Sequence, residues 1–159
     1  MQIDTADREA RLAAVHDKLT NAVEALVTGE DWSRALEFAA RFRSRSFNNT
    51  LLIYSQHAAA FEEGRVEAAW PTYVAGFKQW QTLGRQVNKG QSGYQILAPV
   101  TARYASHSPD PDGTWRRLSR GESAKPGEVV RSKLVGLRPA YVWDPLSRDS
   151  KMCSLVSTP

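Results

Sequence analysis

The sequence is poor in the residues that staple, span or coordinate. One cysteine, Cys153, stands among 159 residues, so no internal disulfide can form and a reducing cytoplasm is the expected compartment. No apolar run approaches the roughly 18 residues of a membrane span, and the polar, acidic start MQIDTADREAR is unlike a secretory signal. The three histidines (16, 57 and 107) lie far apart, and none forms the His-Glu-x-x-His pattern of a zinc peptidase. There is no G-x-x-x-x-G-K-[ST] phosphate loop, the glycine turn at 84–93 is not G-x-G-x-x-G, and no local pattern poises a serine or Cys153 as a nucleophile. Asp110 and Asp112 are only two carboxylates in a Pro/Gly-rich loop, too few to hold a metal. These absences predict a chain that is not an enzyme and needs no metal or cofactor.

Acidic residues are missing where it matters most. The net charge is +4, but residues 1–67 hold 8 Lys/Arg against 11 Asp/Glu, whereas residues 68–159 hold 13 against 6. From Ala68 to Pro109 there is no acid at all, while Lys78, Arg85, Lys89 and Arg103 are present. Such segregation suits an anionic partner, although a basic half can also be a solvated face.

The acid-free window contains the most patterned stretch of the chain, Tyr73 to Val100. Phe77, Trp80 and Leu83 recur at three-residue steps along a short helix over 74–83, and Gly84 stands where a helix ends in a left-handed residue. Arg85 to Gly93 is a polar turn with Gly90, Gly93, Arg85 and Lys89, and Tyr94 to Val100 is apolar enough for a buried strand. Aromatics beside cations on a glycine turn suit a nucleic-acid backbone with exposed bases. On composition alone, Phe77 and Trp80 fit a core better than a ligand platform, because aromatics on a helix face usually pack inward.

The run GFKQWQTLGRQVNKGQSGYQILAP resembles the N-terminal domain of ArdC-type antirestriction proteins. SFNNTLLIYSQ (Ser46 to Gln56) resembles the same family's helix, and LVGLRPAYVWD (Leu134 to Asp144) its closing strand. Three blocks in the right order extend the resemblance over about residues 10 to 145. It implies a small α+β domain that binds single-stranded DNA and protects incoming mobile-element DNA (plasmid or phage) from restriction. A zinc peptidase domain normally follows this point in full-length members. The residues after Asp144 carry none of its motif and are expected to form an irregular tail over 146–159. The lack of massed carboxylates argues against a DNA mimic.

Read in order, the remaining chain gives an α+β class: three or four helices, then a small antiparallel sheet from about residue 94. The simplest organisation is one domain over 1–145 with one core. Leu12, Val15, Leu19, Val23 and Leu26 make one apolar stripe on a first helix that Gly29 ends. Asp31 is the expected cap of a second helix, Trp32 to Phe42, with Trp32, Leu36, Ala39 and Ala40 facing the core. A third helix opens at Ser46, with His57 at its end as an expected surface residue. Strand residues follow Pro99, SHSPDPDG turns, the chain loops at Lys125-Pro126-Gly127, and Val129 to Trp143 is the last strand region.

The expected single-strand contacts follow. Arg85, Lys89 and then Lys78 meet phosphates; Trp80, Tyr94 and Tyr54 stack bases; Phe77 packs in the core. Asn48, Asn49 and Gln56 are amides that can bond bases or hold the fold. Arg43 and Arg45, alternating with Arg41, can touch phosphates or sit at a solvated helix end. The competing reading is a protein-interaction or targeting module, docking on a restriction or conjugation component or working with a separate or lost zinc metallopeptidase domain.

Overall fold

A computed structural model describes residues 5–87 and 89–144; the expected tail over 146–159 lies outside the described residues. The elements run α1 (Thr5–Glu24), α2 (Gly29–Arg41), α3 (Phe47–Glu62), α4 (Phe77–Thr82), β1 (Tyr94–Ser106), β2 (Arg116–Arg117) and β3 (Val129–Val142). The strands form one antiparallel sheet in the order β2-β1-β3, so the class is α+β, helices before strands. The chain divides into two compact units. The first holds residues up to Leu97 together with those from Pro139 onward, and the second is Ala98–Arg138.

In the first unit, α3 packs against both α1 and α2. Its core is Phe38, Ile53, Ala60, Val66, Val74, Tyr94, Ile96 and Val142, with Leu26, Ala35 and Leu51 forming a smaller cluster. Of the expected stripe, Val15 on α1 and Leu26 just past its end are buried and Leu12 and Leu19 half-buried, whereas Val23 is exposed and Ala22 takes its place inside. Gly29 opens α2 instead of ending α1. The cap is Thr28, whose hydroxyl accepts from the Asp31 N–H at 3.1 Å while Asp31 Oδ2 accepts from the Thr28 N–H at 2.9 Å. That is a capping box, with Asp31 in its third position. The inner face also differs: α2 packs on α3 through Ala35 and Phe38, which are buried, and Trp32 and Leu36 are exposed. Ser46 caps α3 through the Asn49 N–H.

His57 is not on the surface. It is buried, and its Nε2–H donates to the Ala68 carbonyl at 2.8 Å. Its Nδ1 lies 2.8 Å from the Tyr94 hydroxyl and 3.3 Å from Asp144 Oδ2, both also buried. Burial and the nearby Asp144 charge raise the Tyr94 phenol well above its ordinary pKa. This knot ties α3, the start of β1 and the end of β3 in one place.

In the second unit, β1 pairs with β2 through Tyr104 opposite Arg117 and Ala105 opposite Arg116. Arg116 collects both glutamates of this unit: it pairs with Glu122 and, at 2.9 Å, with Glu128. Backbone N–H groups of Ser119 and Lys125 complete those carboxylates, which the hydrogen bonds and Arg116 hold below the usual glutamate range. Gly127 turns the chain into β3 with φ of +84°.

Candidate nucleic-acid interface

The glycine turn between α4 and β1 is held at both ends, for reasons legible in the local chemistry. At its start Gly84 adopts φ of +71°, donates to Gln81 O at 3.0 Å, and lets the Arg85 N–H reach Trp80 O at 2.9 Å. This is the paired 5→2 and 6→1 bonding that terminates a helix through a left-handed glycine. The reversal carries the Arg85 guanidinium to 5.9 Å from the centre of the Trp80 ring. At the far end, Trp143 Nε1 donates to Gln91 O at 3.1 Å and its ring lies against Gly93. A Cβ at Gly93 would stand 3.0 Å from both the Trp143 ring and Val142 O, so any side chain there would have to push the ring or the backbone aside. Trp143 also exchanges backbone hydrogen bonds with Ala75 and accepts from Trp80 Nε1 at 3.1 Å. Trp143 therefore anchors the whole turn, a role that nothing in its local sequence indicates.

Lys78, Arg85 and Lys89 are exposed, and among the described residues none of them has a carboxylate within ion-pairing distance. The rings expected to stack beside them sit elsewhere. Trp80 is 2% exposed, with Tyr73 edge-on to it at 5.2 Å, so it is a core residue. Tyr94 is buried on His57. Neither offers a face to a base, because the aromatic spacing serves the packing of α4 and β1. Phe77, expected in the core, is 47% exposed, and Tyr73 is 39% exposed. Tyr54 is half-buried, its ring edge-on to Phe38 at 5.2 Å. It borders a shallow depression whose rim includes Glu37 and Glu62, a poor setting for a phosphate.

Two of the three amides are committed to the fold. Asn49 Nδ2 donates to Leu97 O at 2.8 Å and its Oδ1 accepts from the Leu97 N–H at 2.8 Å. One β-strand step away, Gln56 Nε2 donates to Gln95 O at 2.9 Å and its Oε1 accepts from the Gln95 N–H at 2.9 Å. Two turns of α3 thus present two side-chain amides that pair with β1 as a neighbouring strand would. Asn48 is exposed at the first turn of α3. Arg43 is exposed, whereas Arg45 is half-buried and donates to Val74 O at 2.7 Å. Burial lowers the Arg45 pKa from the usual arginine value. Arg43 and Arg45 therefore share no side, and Arg45 is a structural tie.

Among the described residues no group of three or more His, Cys, Asp or Glu could hold a metal ion, and no helix is long and apolar enough to cross a membrane.

A small α+β domain with a pinned basic turn, built on the three blocks of sequence noted above, defines the class. Residues 10–139 match the sequence model of the N-terminal domain of anti-restriction factor ArdC, and the chain belongs to that family. The family ties it to antirestriction. Comparisons with curated proteins and with solved structures give no match.

Proposed function

We propose that this domain binds single-stranded DNA with little sequence preference and so protects incoming DNA of a mobile element from restriction in the cytoplasm, without catalysis of its own. The observation that carries the reading is the turn held at both ends, with exposed Arg85 and Lys89 on it and Lys78 on the adjoining α4, free of ion pairs among the described residues, in a window without acids. Lys78 on α4 and Arg85 and Lys89 on the turn present positive charge beside backbone that is hydrogen-bonded at Gly84, Arg85 and Gln91, which lowers the ordering required on binding. Phe77 and Tyr73 are the exposed rings on the same segment and replace Trp80 and Tyr94 as stacking surfaces.

The test is the triple variant K78Q/R85Q/K89Q against a labelled oligothymidine. For single strands, log affinity falls with log salt by about 0.7 per phosphate neutralised, so losing three contacts should flatten the slope by roughly 2. An unchanged affinity and slope would remove this turn from the interface.

A second reading has its own observation. β3 lies at the edge of the sheet, and Val129, Val130, Leu134 and Val135 on it are exposed. An apolar edge strand can take a partner protein by strand addition. Under that reading L134K/V135K abolishes protection against restriction while DNA affinity stays at the wild-type level.

A further inference from the structure

The second unit concentrates charge more than the first. Residues 98–138 hold 8 Lys/Arg and 4 Asp/Glu, so they account for the whole net charge of +4. Two of the four acids, Glu122 and Glu128, are consumed by Arg116. The other seven cations face two loop aspartates, of which Asp110 accepts from the Ser108 hydroxyl.

Within this basic surface the structure forms an open cleft of about 430 Å³, lined by Tyr104 of β1, Pro111 and Trp115 of the intervening loop, and Arg131, Ser132 and Lys133 of β3. Trp115 is half-buried, and its indole N–H is used inward, donating to Asp110 O at 3.2 Å. That bond fixes the ring, and Arg131 lies over one of its faces. The Arg131 guanidinium stands 4.9 Å from the ring centre. Arg131 and Lys133, two residues apart on a strand, project to one side of the sheet. Among the described residues neither forms an ion pair with a carboxylate. Tyr104 supplies a second, half-buried ring. The volume is at the small end of ligand sites and too small for a folded partner.

We infer that this cleft holds one unpaired base of the bound strand, stacked on the face of Trp115 that Arg131 leaves uncovered, with the adjoining phosphate on Arg131 and Lys133. The chemistry is that of single-strand sites: a flat apolar face for the base, which every base possesses, and cations beside it for the backbone. A base in a duplex is stacked on both sides and cannot enter, so the cleft selects unpaired DNA where surface charge alone does not. The inference rests on the single-strand reading above and adds a site whose stacking ring and cations, Trp115, Arg131 and Lys133, lie beyond the acid-free window.

The test combines affinity with mapping. Anisotropy titrations of an oligothymidine compare the wild type with W115A, W115F and K133Q, and a 5-iododeoxyuridine oligonucleotide is photocrosslinked to the unaltered protein. The proposal expects a loss of about 5- to 150-fold for W115A, a smaller loss for W115F, a salt slope lower by about 0.7 for K133Q, and crosslinks at Trp115 or Tyr104. Wild-type affinity in W115A, or crosslinks confined to the first unit, overturns the site while the single-strand reading stands. If thymidine monophosphate binds as tightly as the strand, the cleft is a free-nucleotide site and the proposal is wrong. A wild-type protein that binds no strand at low salt sinks both. Crosslinking of the unaltered chain locates the base even if W115A fails to fold.

Discussion

Replacing Gln56 with leucine separates a fold-holding amide from a DNA-reading one. The substitution keeps the side chain's bulk and the helix propensity of α3. It removes both hydrogen bonds to Gln95, at 2.9 Å each, and leaves that residue's backbone N–H and C=O without their partner. An unpaired buried backbone group costs about 1–3 kcal/mol. Gln56 is half-buried, so water recovers part of this, and the two groups together should cost roughly 2–3 kcal/mol. For a domain of this size about 1 kcal/mol corresponds to 2–4 °C, giving a fall in Tm of about 4–12 °C. N49L, which vacates Leu97 in the same way, should behave alike. Scanning fluorimetry reads the first quantity, and an oligothymidine titration well below the transition reads the second. The expected result is a lower Tm with DNA affinity intact. Unchanged Tm with lost affinity would refute the structural role and return both amides to the interface.

Other outcomes follow from the same structure. The Tyr94 phenol is raised in the folded state by burial and by Asp144, so its contribution to stability is complete below the unfolded value of about 10 and is lost as pH rises beyond it. Urea titrations from pH 8 to 11 should show the wild type weakening at the alkaline end, and Y94F should be weaker at pH 8 but flatter above 10. G93A places a methyl group 3.0 Å from the Trp143 ring and from Val142 O, and should destabilise more than G84A. G84A meets no neighbour and carries only the left-handed backbone penalty of about 1–2 kcal/mol. Equal Tm losses for the two would contradict the anchoring role of Trp143.

Local signals in the sequence are reliable where their cause is local. The stripe through Val15 and Leu26, the left-handed stop at Gly84 and the turn at Gly127 each depend on a few adjacent residues, and each is where the pattern places it. In α2 the start is local and the face is not: Thr28 and Asp31 are both good caps, but the burial of Ala35 and Phe38 in place of Trp32 and Leu36 is set by packing on α3. The site is harder to read because its geometry is long-range. Asn49 and Gln56 find their partners 48 and 39 residues away, and His57 meets Tyr94 across 37. An amide that reads a base and one that props a strand are the same residue type in the sequence. Trp115 lies in a segment that reads as a loop, and its relation to Arg131 exists only once β1 and β3 share a sheet.

The central claim is that this member of the ArdC N-terminal family binds single-stranded DNA through surface cations and exposed rings. Fluorescence anisotropy of a labelled oligothymidine with the full chain, at two salt concentrations and competed by unlabelled duplex, tests it most directly. The predicted result is binding that weakens steeply with salt and that the duplex displaces poorly. No binding at low salt, or displacement by duplex as effective as by single strand, would contradict it.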